Sequence, residues 1–301
     1  MLNGVINVYK EKGFTSHDVV AKMRGIFRQK KIGHTGTLDP DAEGVLPVCL
    51  GSATKLCDIL TDRTKSYEAV LLLGVETDTQ DAGGTVLSVR EVTCTEEDLL
   101  HAVHSFEGSY DQIPPMYSAL KVNGQKLCDL ARKGIEVERK PRTVRISEIR
   151  IKEISFPRVK MEVECSKGTY IRTLCYDIGK KLSCGGCMER LVRTRSGQFS
   201  AADAHRLAEL QEAADRGEPG RYLIPVDDCL REYRTAHAMP EADRFLWNGN
   251  PVKEELFLPG DRSAGNVYRV YDSRNSFIGL YQLSAGGLFR AEKLFIGTGR
   301  E

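Results

Sequence analysis

Between Gly33 and Gly51 the chain reads Gly-His-Thr-Gly-Thr-Leu-Asp-Pro-Asp-Ala-Glu-Gly-Val-Leu-Pro-Val-Cys-Leu-Gly, and this stretch constrains the fold more than any other. Its glycines and prolines forbid a continuous helix, because they supply left-handed turns and withhold backbone donors. The apolar run from Val45 to Leu50 needs a core to enter. One acid, Asp39, is thereby set in a tight loop at the mouth of that core. Asp-Pro behind a pair of glycines is the chemistry of an ordinary turn. It is equally a rigid mount for a catalytic carboxylate, and the residue types alone do not separate the two.

The rest of the pattern is mixed. Met1 to Lys10 reads as a first strand. Thr15-Ser16-His17-Asp18 opens a helix with Asp18 placed for a capping box. Val19, Val20, Met23, Ile26 and Phe27 then recur at helical spacing. The spacing predicts a strand over Tyr67 to Gly74, with Thr85 to Val89 as its hairpin partner. It predicts a helix from Thr95 towards Phe106, and strands over Thr143 to Ile154 and Val159 to Cys165. Thr169 to Arg172 opens a helix through Lys181, with Ile171, Leu174, Cys175 and Ile178 on one face. Strands and helices without a regular βαβ repeat imply an α+β core with a largely antiparallel sheet.

A chain of 301 residues is expected to form two domains. The polar segment Glu212 to Gly220 fits a surface loop near the end of the first. Beyond about Tyr233, short strands around Val267 to Tyr271, Phe277 to Gln282 and Leu288 to Ala291 predict a small β-rich C-terminal domain. The expected division is 1–232 and 233–301.

The net charge of +1 does not advertise nucleic-acid binding, but its distribution does more. Residues 1–31 hold seven Lys and Arg against two acids, and residues 121–145 hold eight against three. Such clusters form a local footprint for phosphates or merely a solvated face. Nine cysteines, an odd number scattered through apolar contexts, fit reduced thiols in a cytoplasmic protein. Cys184-Gly-Gly-Cys187 is a close pair, but nothing completes a four-ligand zinc set, so no metal is expected. No run is long enough to span a membrane, and the N-terminus lacks the pattern of a signal peptide.

A second string, Ser166-Lys167-Gly168-Thr169-Tyr170-Ile171-Arg172, follows the Asp39 string in the chain. Together, and in this order, the two resemble the motifs of the bacterial tRNA pseudouridine-55 synthases, the TruB family. The resemblance runs through nearly the whole chain, strongest over 32–56, 67–84, 113–142 and 165–193 and looser after 205. It implies isomerisation of the T-loop uridine of tRNA, with Asp39 as the catalytic acid and Arg172 as its partner. Tyr67 matches the active-site aromatic, whose ring can stack on an extruded base. His34, Asp81, Tyr170, Leu191, Lys10 and Lys121 are carried over as substrate-binding residues. Leu191 matches the apolar wall of the uracil pocket. The stretch 113–145 matches a mobile insertion that clamps the T-arm, and 233–301 a PUA-like RNA-binding domain. No cofactor, metal, membrane or protein partner is implied, and a monomer is expected.

The chemistry agrees with the resemblance. A glycosidase needs two carboxylates, and no second acid stands at a spacing that demands that role. One carboxylate suits a reaction in which the base is detached, turned and rejoined without leaving, provided water stays out. It can act as a nucleophile on sugar or base, or as a base on a sugar proton, and the sequence leaves these routes open. Three departures from the family pattern stand out: Glu11 replaces a usual proline, Asp41 and Glu43 add charge beside Asp39, and Cys187 replaces a usual His or aromatic. The rival readings are a non-catalytic tRNA-folding chaperone, a guide-RNA-dependent synthase, and a glycosidase-like hydrolase.

Overall fold

The structure, a computed structural model, describes residues 1–296. Strand β1 (Gly4–Lys10) leads into helix α1 (Ser16–Ile26). Thr15 caps α1, accepting from Asp18 N while the Asp18 carboxylate accepts from Thr15 N. The helix buries Val19, Val20 and Met23 and ends at Ile26, short of the basic run 28–31. Next come β2 (Ile32–His34), β3 (Glu43–Leu50), α2 (Cys57–Thr61) and β4 (Lys65–Leu73). The short strands β5 (Val75–Thr77) and β6 (Val86–Val89) precede α3 (Glu96–His104) and β7 (Gly108–Gln112). Strands β8 (Lys121–Val122) and β9 (Gln125–Lys126) form a hairpin ahead of α4 (Leu127–Ala131). Long strands β10 (Arg142–Ser155) and β11 (Arg158–Cys165), helix α5 (Ile171–Lys181), β12 (Gly186–Ser196) and β13 (Phe199–Ser200) complete the main sheet.

That sheet has nine strands in the order β1-β3-β12-β4-β11-β10-β7, with β2 on β3 and β13 on β12. Every pairing is antiparallel except β12 with β3. Helix α6 (Leu207–Asp215) packs near α1, and α7 (Asp243–Trp247) follows in the C-terminal region. There β14 (Arg234–His237), β15 (Val252–Lys253), β16 (Val267–Tyr271), β17 (Phe277–Leu283) and β18 (Leu288–Leu294) form a second sheet. Tyr268, Ile278, Tyr281 and Phe289 make its core. An apolar cluster of Val5, Val45, Cys49, Leu230, Leu280 and Phe295 joins the two sheets.

One predicted pairing is different. Thr85 to Val89 does not return along β4, because both edges of β4 are taken by β11 and β12. Gly74, with φ +84°, turns the chain out of the sheet, and β6 pairs with β5 instead.

The centre of the sheet is built around one position. Arg193 on β12 lies opposite Tyr67 of β4 on one side and Gly44 of β3 on the other. Gly44 has φ +105°, and a Cβ there would stand 2.2 Å from the Arg193 carbonyl oxygen. Gly44→Ala is therefore expected to destabilise the protein by about 2–4 kcal/mol, combining a forbidden backbone region with a backbone clash. The fall in the urea midpoint measures it, and an unchanged midpoint would contradict this packing.

Candidate active site

Asp39 is mounted at both ends of its loop. Thr35 N donates to the Pro47 carbonyl at 3.1 Å, and Ala42 N to the Asp39 carbonyl at 3.1 Å. Leu38 plugs into the main core, and its N–H donates to Ser16 Oγ at 2.9 Å. The Pro40 carbonyl accepts from Gly13 N at 2.9 Å and from Lys10 Nζ at 3.0 Å. These bonds leave the Asp39 carboxylate partly open, with 39% of its side chain accessible.

Arg172, in the first turn of α5, aims that carboxylate. Its Nε and Nη2 lie 3.0 and 3.3 Å from the two Asp39 oxygens. Nη2 also donates to the Tyr117 carbonyl at 2.8 Å, and Nη1 to the Thr79 carbonyl at 3.1 Å and Asp81 Oδ2 at 3.4 Å. A positive charge at a helix N-terminus opposes the helix dipole, and the two carboxylates offset that cost. The guanidinium is 5% exposed, so its contacts act in a poorly screened setting. One side chain thus ties the Asp39 loop, the turn between β5 and β6, and the segment that carries Tyr117.

Burial pushes the Asp39 carboxyl above the usual carboxylate range, and the Arg172 guanidinium pulls it back. Asp81 is occupied on both oxygens: Oδ2 meets Arg172, while Oδ1 accepts from Thr79 Oγ1 at 2.7 Å and Gly83 N at 3.2 Å. It is a partner of Arg172 rather than a second free acid. The turn that bears it is pinned to β12 by Ala82 N to the Met188 carbonyl, 2.9 Å, and Met188 N to the Gln80 carbonyl, 3.0 Å.

The other sequence-derived positions divide clearly. Tyr67 is buried under the loop, in the same cluster as Leu38 and Leu191. Its phenol is pushed up by burial, while Arg193 acts in the opposite sense. Tyr170 caps α5, held by a reciprocal amide pair in which Tyr170 N donates to Gln112 Oε1 at 2.7 Å and Gln112 Nε2 to the Tyr170 carbonyl at 2.9 Å. His34 is half-buried, edge-on to His17 with ring centroids 5.4 Å apart, and burial lowers its pKa. Lys121 is exposed on the outer hairpin of the insertion, paired with Lys126 across β8 and β9. Of the extra acids, Asp41 lies 3.9 Å from Lys12 and Glu43 3.5 Å from Arg190.

Lys10 requires a correction. It does not present its charge to a phosphate: the side chain is fully buried, and Nζ donates to the Glu11, Phe14 and Pro40 carbonyls at 3.1, 2.6 and 3.0 Å. Burial brings its pKa down to about 8. Lys10 supports the Asp39 loop through Pro40. On the activity that the resemblance implies, Lys10→Met is therefore expected to cut turnover by about 100-fold while leaving the salt slope of RNA binding unchanged, because no phosphate contact is lost. A slope smaller by about one unit would restore the phosphate role.

Two structural supports, Gln112 and Arg193, lie outside the motifs that mark the site in sequence. Arg193 is two residues from Leu191 on a strand, so both face the same way, and that period was the available signal. Gln112 left none, since its role depends on the fold bringing α5 beside β7.

Comparison with known proteins places these residues in context. Residues 24–171 match the family model described as TruB family pseudouridylate synthase, N-terminal domain. Residues 172–231 match that of the tRNA pseudouridylate synthase B C-terminal domain. The boundary falls inside α5, so the two models share one sheet here. The tRNA pseudouridine synthase B of Lachnoclostridium phytofermentans is 53% identical over 93% of this chain and 95% of that protein. That of Clostridium acetobutylicum is 45% identical over 97% and 99%. A solved Cbf5-Nop10-Gar1 complex superposes with TM-score 0.74 at 26% identity, covering 98% of this chain and 85% of that one. An H/ACA RNP bound to a substrate RNA containing 2'-deoxyuridine shares the fold, with TM-score 0.72 at 24% identity, covering 97% and 85%.

Proposed function

The chain belongs to the TruB family of pseudouridylate synthases and isomerises uridine in tRNA to pseudouridine; we propose that it does so at the T-loop uridine, position 55, with Asp39 as the catalytic carboxylate. The observation that carries the site assignment is the two-point contact between Asp39 and the buried Arg172. It favours the ionised carboxylate against the opposing effect of burial and fixes its direction.

In the reaction the bond from the sugar to uracil N1 breaks and a bond from the sugar to C5 forms. The C5 proton leaves and N1 gains one, so no oxidant or cofactor is consumed. The carboxylate acts on the sugar or the base, and Arg172 holds it through the change in charge. Tyr67 and Leu191 supply an aromatic and an apolar surface against an extruded uracil. Burial excludes water that would otherwise trap the detached pieces.

The insertion over 113–145 reaches this centre through the Tyr117 carbonyl on Arg172. Its cations, Lys121 among them, suit the phosphates of the T-arm. Residues 233–301 are read as the PUA-like RNA-binding domain, and the working form as a cytoplasmic monomer that needs no protein partner. Among the described residues no helix is long and apolar enough to cross a membrane.

The test uses the purified protein alone with tRNA tritiated at uracil C5. Near-stoichiometric tritium release is expected, and a transcript with cytidine at position 55 should lose it. Tight binding without release would defeat the proposal in favour of a chaperone or guided enzyme.

A further inference from the structure

Among the described residues Arg193 is one of the largest fully buried side chains, yet no carboxylate among them pairs with it. An unpaired buried guanidinium is costly unless its donors are used. Three of its five N–H groups meet backbone carbonyls, two in the Asp39 loop and one in the strand that follows it: Nη2 to Gly36 at 3.2 Å and Nη1 to Thr37 at 3.5 Å in the loop, and Nε to Val45 of β3 at 2.7 Å. One N–H on each terminal nitrogen remains. The register supplies the neighbour that can take one, because Tyr67 stands directly opposite Arg193 on β4. Side chains so paired lie on one face within about 5 Å at Cβ.

We propose that Arg193 is a positioning residue of the reaction: its guanidinium fork sets the Tyr67 hydroxyl and the backbone of the Asp39 loop in a fixed relation. The inference rests on the reading of Asp39 and Tyr67 given above. Its content is directional. Arginine has donors and no acceptor, so the Tyr67 oxygen must accept from it. The single phenol proton is then directed away from Arg193. The register that sets the two side chains side by side is matched by the pull of Arg193 on the Tyr67 phenol, against the effect of burial. A lysine keeps the charge but offers a point rather than a fork, so it cannot hold loop and phenol together.

The test compares wild type, R193K, Y67F and the double variant in single-turnover tritium release, with tRNA affinity measured in parallel. R193K is expected to slow release by about 100-fold with tRNA affinity within about threefold, and its effect should shrink at least about tenfold in the Y67F background. Equal effects in both backgrounds would overturn the proposal, as would a loss that follows binding. A second readout needs no activity: 3-fluorotyrosine at position 67, observed by fluorine NMR. Its resonance should move, and its phenol pKa should rise, in R193K. An unmoved resonance would overturn the proposal. R193Q, which keeps an amide donor, is the alternative if R193K does not fold, and failure of both to fold would leave Arg193 a purely structural residue and overturn the proposal. Absence of release by wild type would instead refute the parent reading.

Discussion

Asp39→Asn is expected to lose at least about 10⁴-fold in single-turnover tritium release while binding tRNA within about threefold of wild type. The amide keeps the shape of the carboxylate and a contact to Arg172, but it can neither attack carbon nor take a proton. A second effect runs the other way. Burial holds the Asp39 carboxyl above the usual range, so the fold favours its neutral form. A carboxyl raised in the folded state adds stability at low pH and loses it as pH rises through the window between the unfolded and folded values. Across the same window activity should rise, because the ionised form is the working one. The neutral variant leaves the buried Arg172 with Asp81 as its remaining carboxylate partner, so it should melt close to wild type at neutral pH. Retained release in a preparation free of wild-type enzyme, or a clear fall in melting temperature, would count against the assignment.

Arg172→Met should be more damaging to the molecule as a whole. It removes the partner of Asp39 and Asp81 together with donors to the Thr79 and Tyr117 carbonyls. Breaking a largely buried ion pair from one side costs about 3 kcal/mol in stability, and loss of aim should slow release by about 10³-fold or more. The expected contrast with Asp39→Asn is in binding. Arg172 also anchors the Tyr117 segment, so its loss should weaken tRNA affinity where the Asp39 variant does not. Arg172→Lys should restore part of the stability and little of the rate, because an ammonium cannot make the two-point contact. Urea titration, filter binding and single-turnover release separate these outcomes, and an Arg172→Met variant of wild-type stability and rate would refute the geometry.

Much of this was legible in the chain. The capping box at Thr15 is local chemistry, and it appears where the residues place it. The helix that carries Arg172 and the long strands β10 and β11 followed from periodicity, which burial enforces. The pairing of Asp39 with Arg172 came from resemblance, since two residues 133 positions apart carry no mark of contact. Two misreadings share one cause. Lys10 is carried over as a substrate-binding residue, and lysine is seldom buried; the carbonyls that hold it come from the turn after β1 and, 30 positions away, from the Asp39 loop. The spacing pairs Thr85 to Val89 with β4 because sequence does not show that both edges of β4 are filled. Local rules identify elements, whereas competition for partners is decided by the assembled sheet.

The place of β12 has a consequence for how the protein is made. It is nearly the last strand of the main sheet to leave the ribosome, yet it lies between β3 and β4. Until residue 196 has emerged, two apolar strands stand with unpaired edges, separated by a gap that later chain must fill. Such late, long-range closure makes for slow folding and a nascent chain open to edge-to-edge association. The Asp39 loop, synthesised early, acquires Arg172 and then Arg193 only as this gap closes. A fragment ending before β12 would therefore have two sheet halves and no site, so completion of the fold and of the catalytic centre is one event.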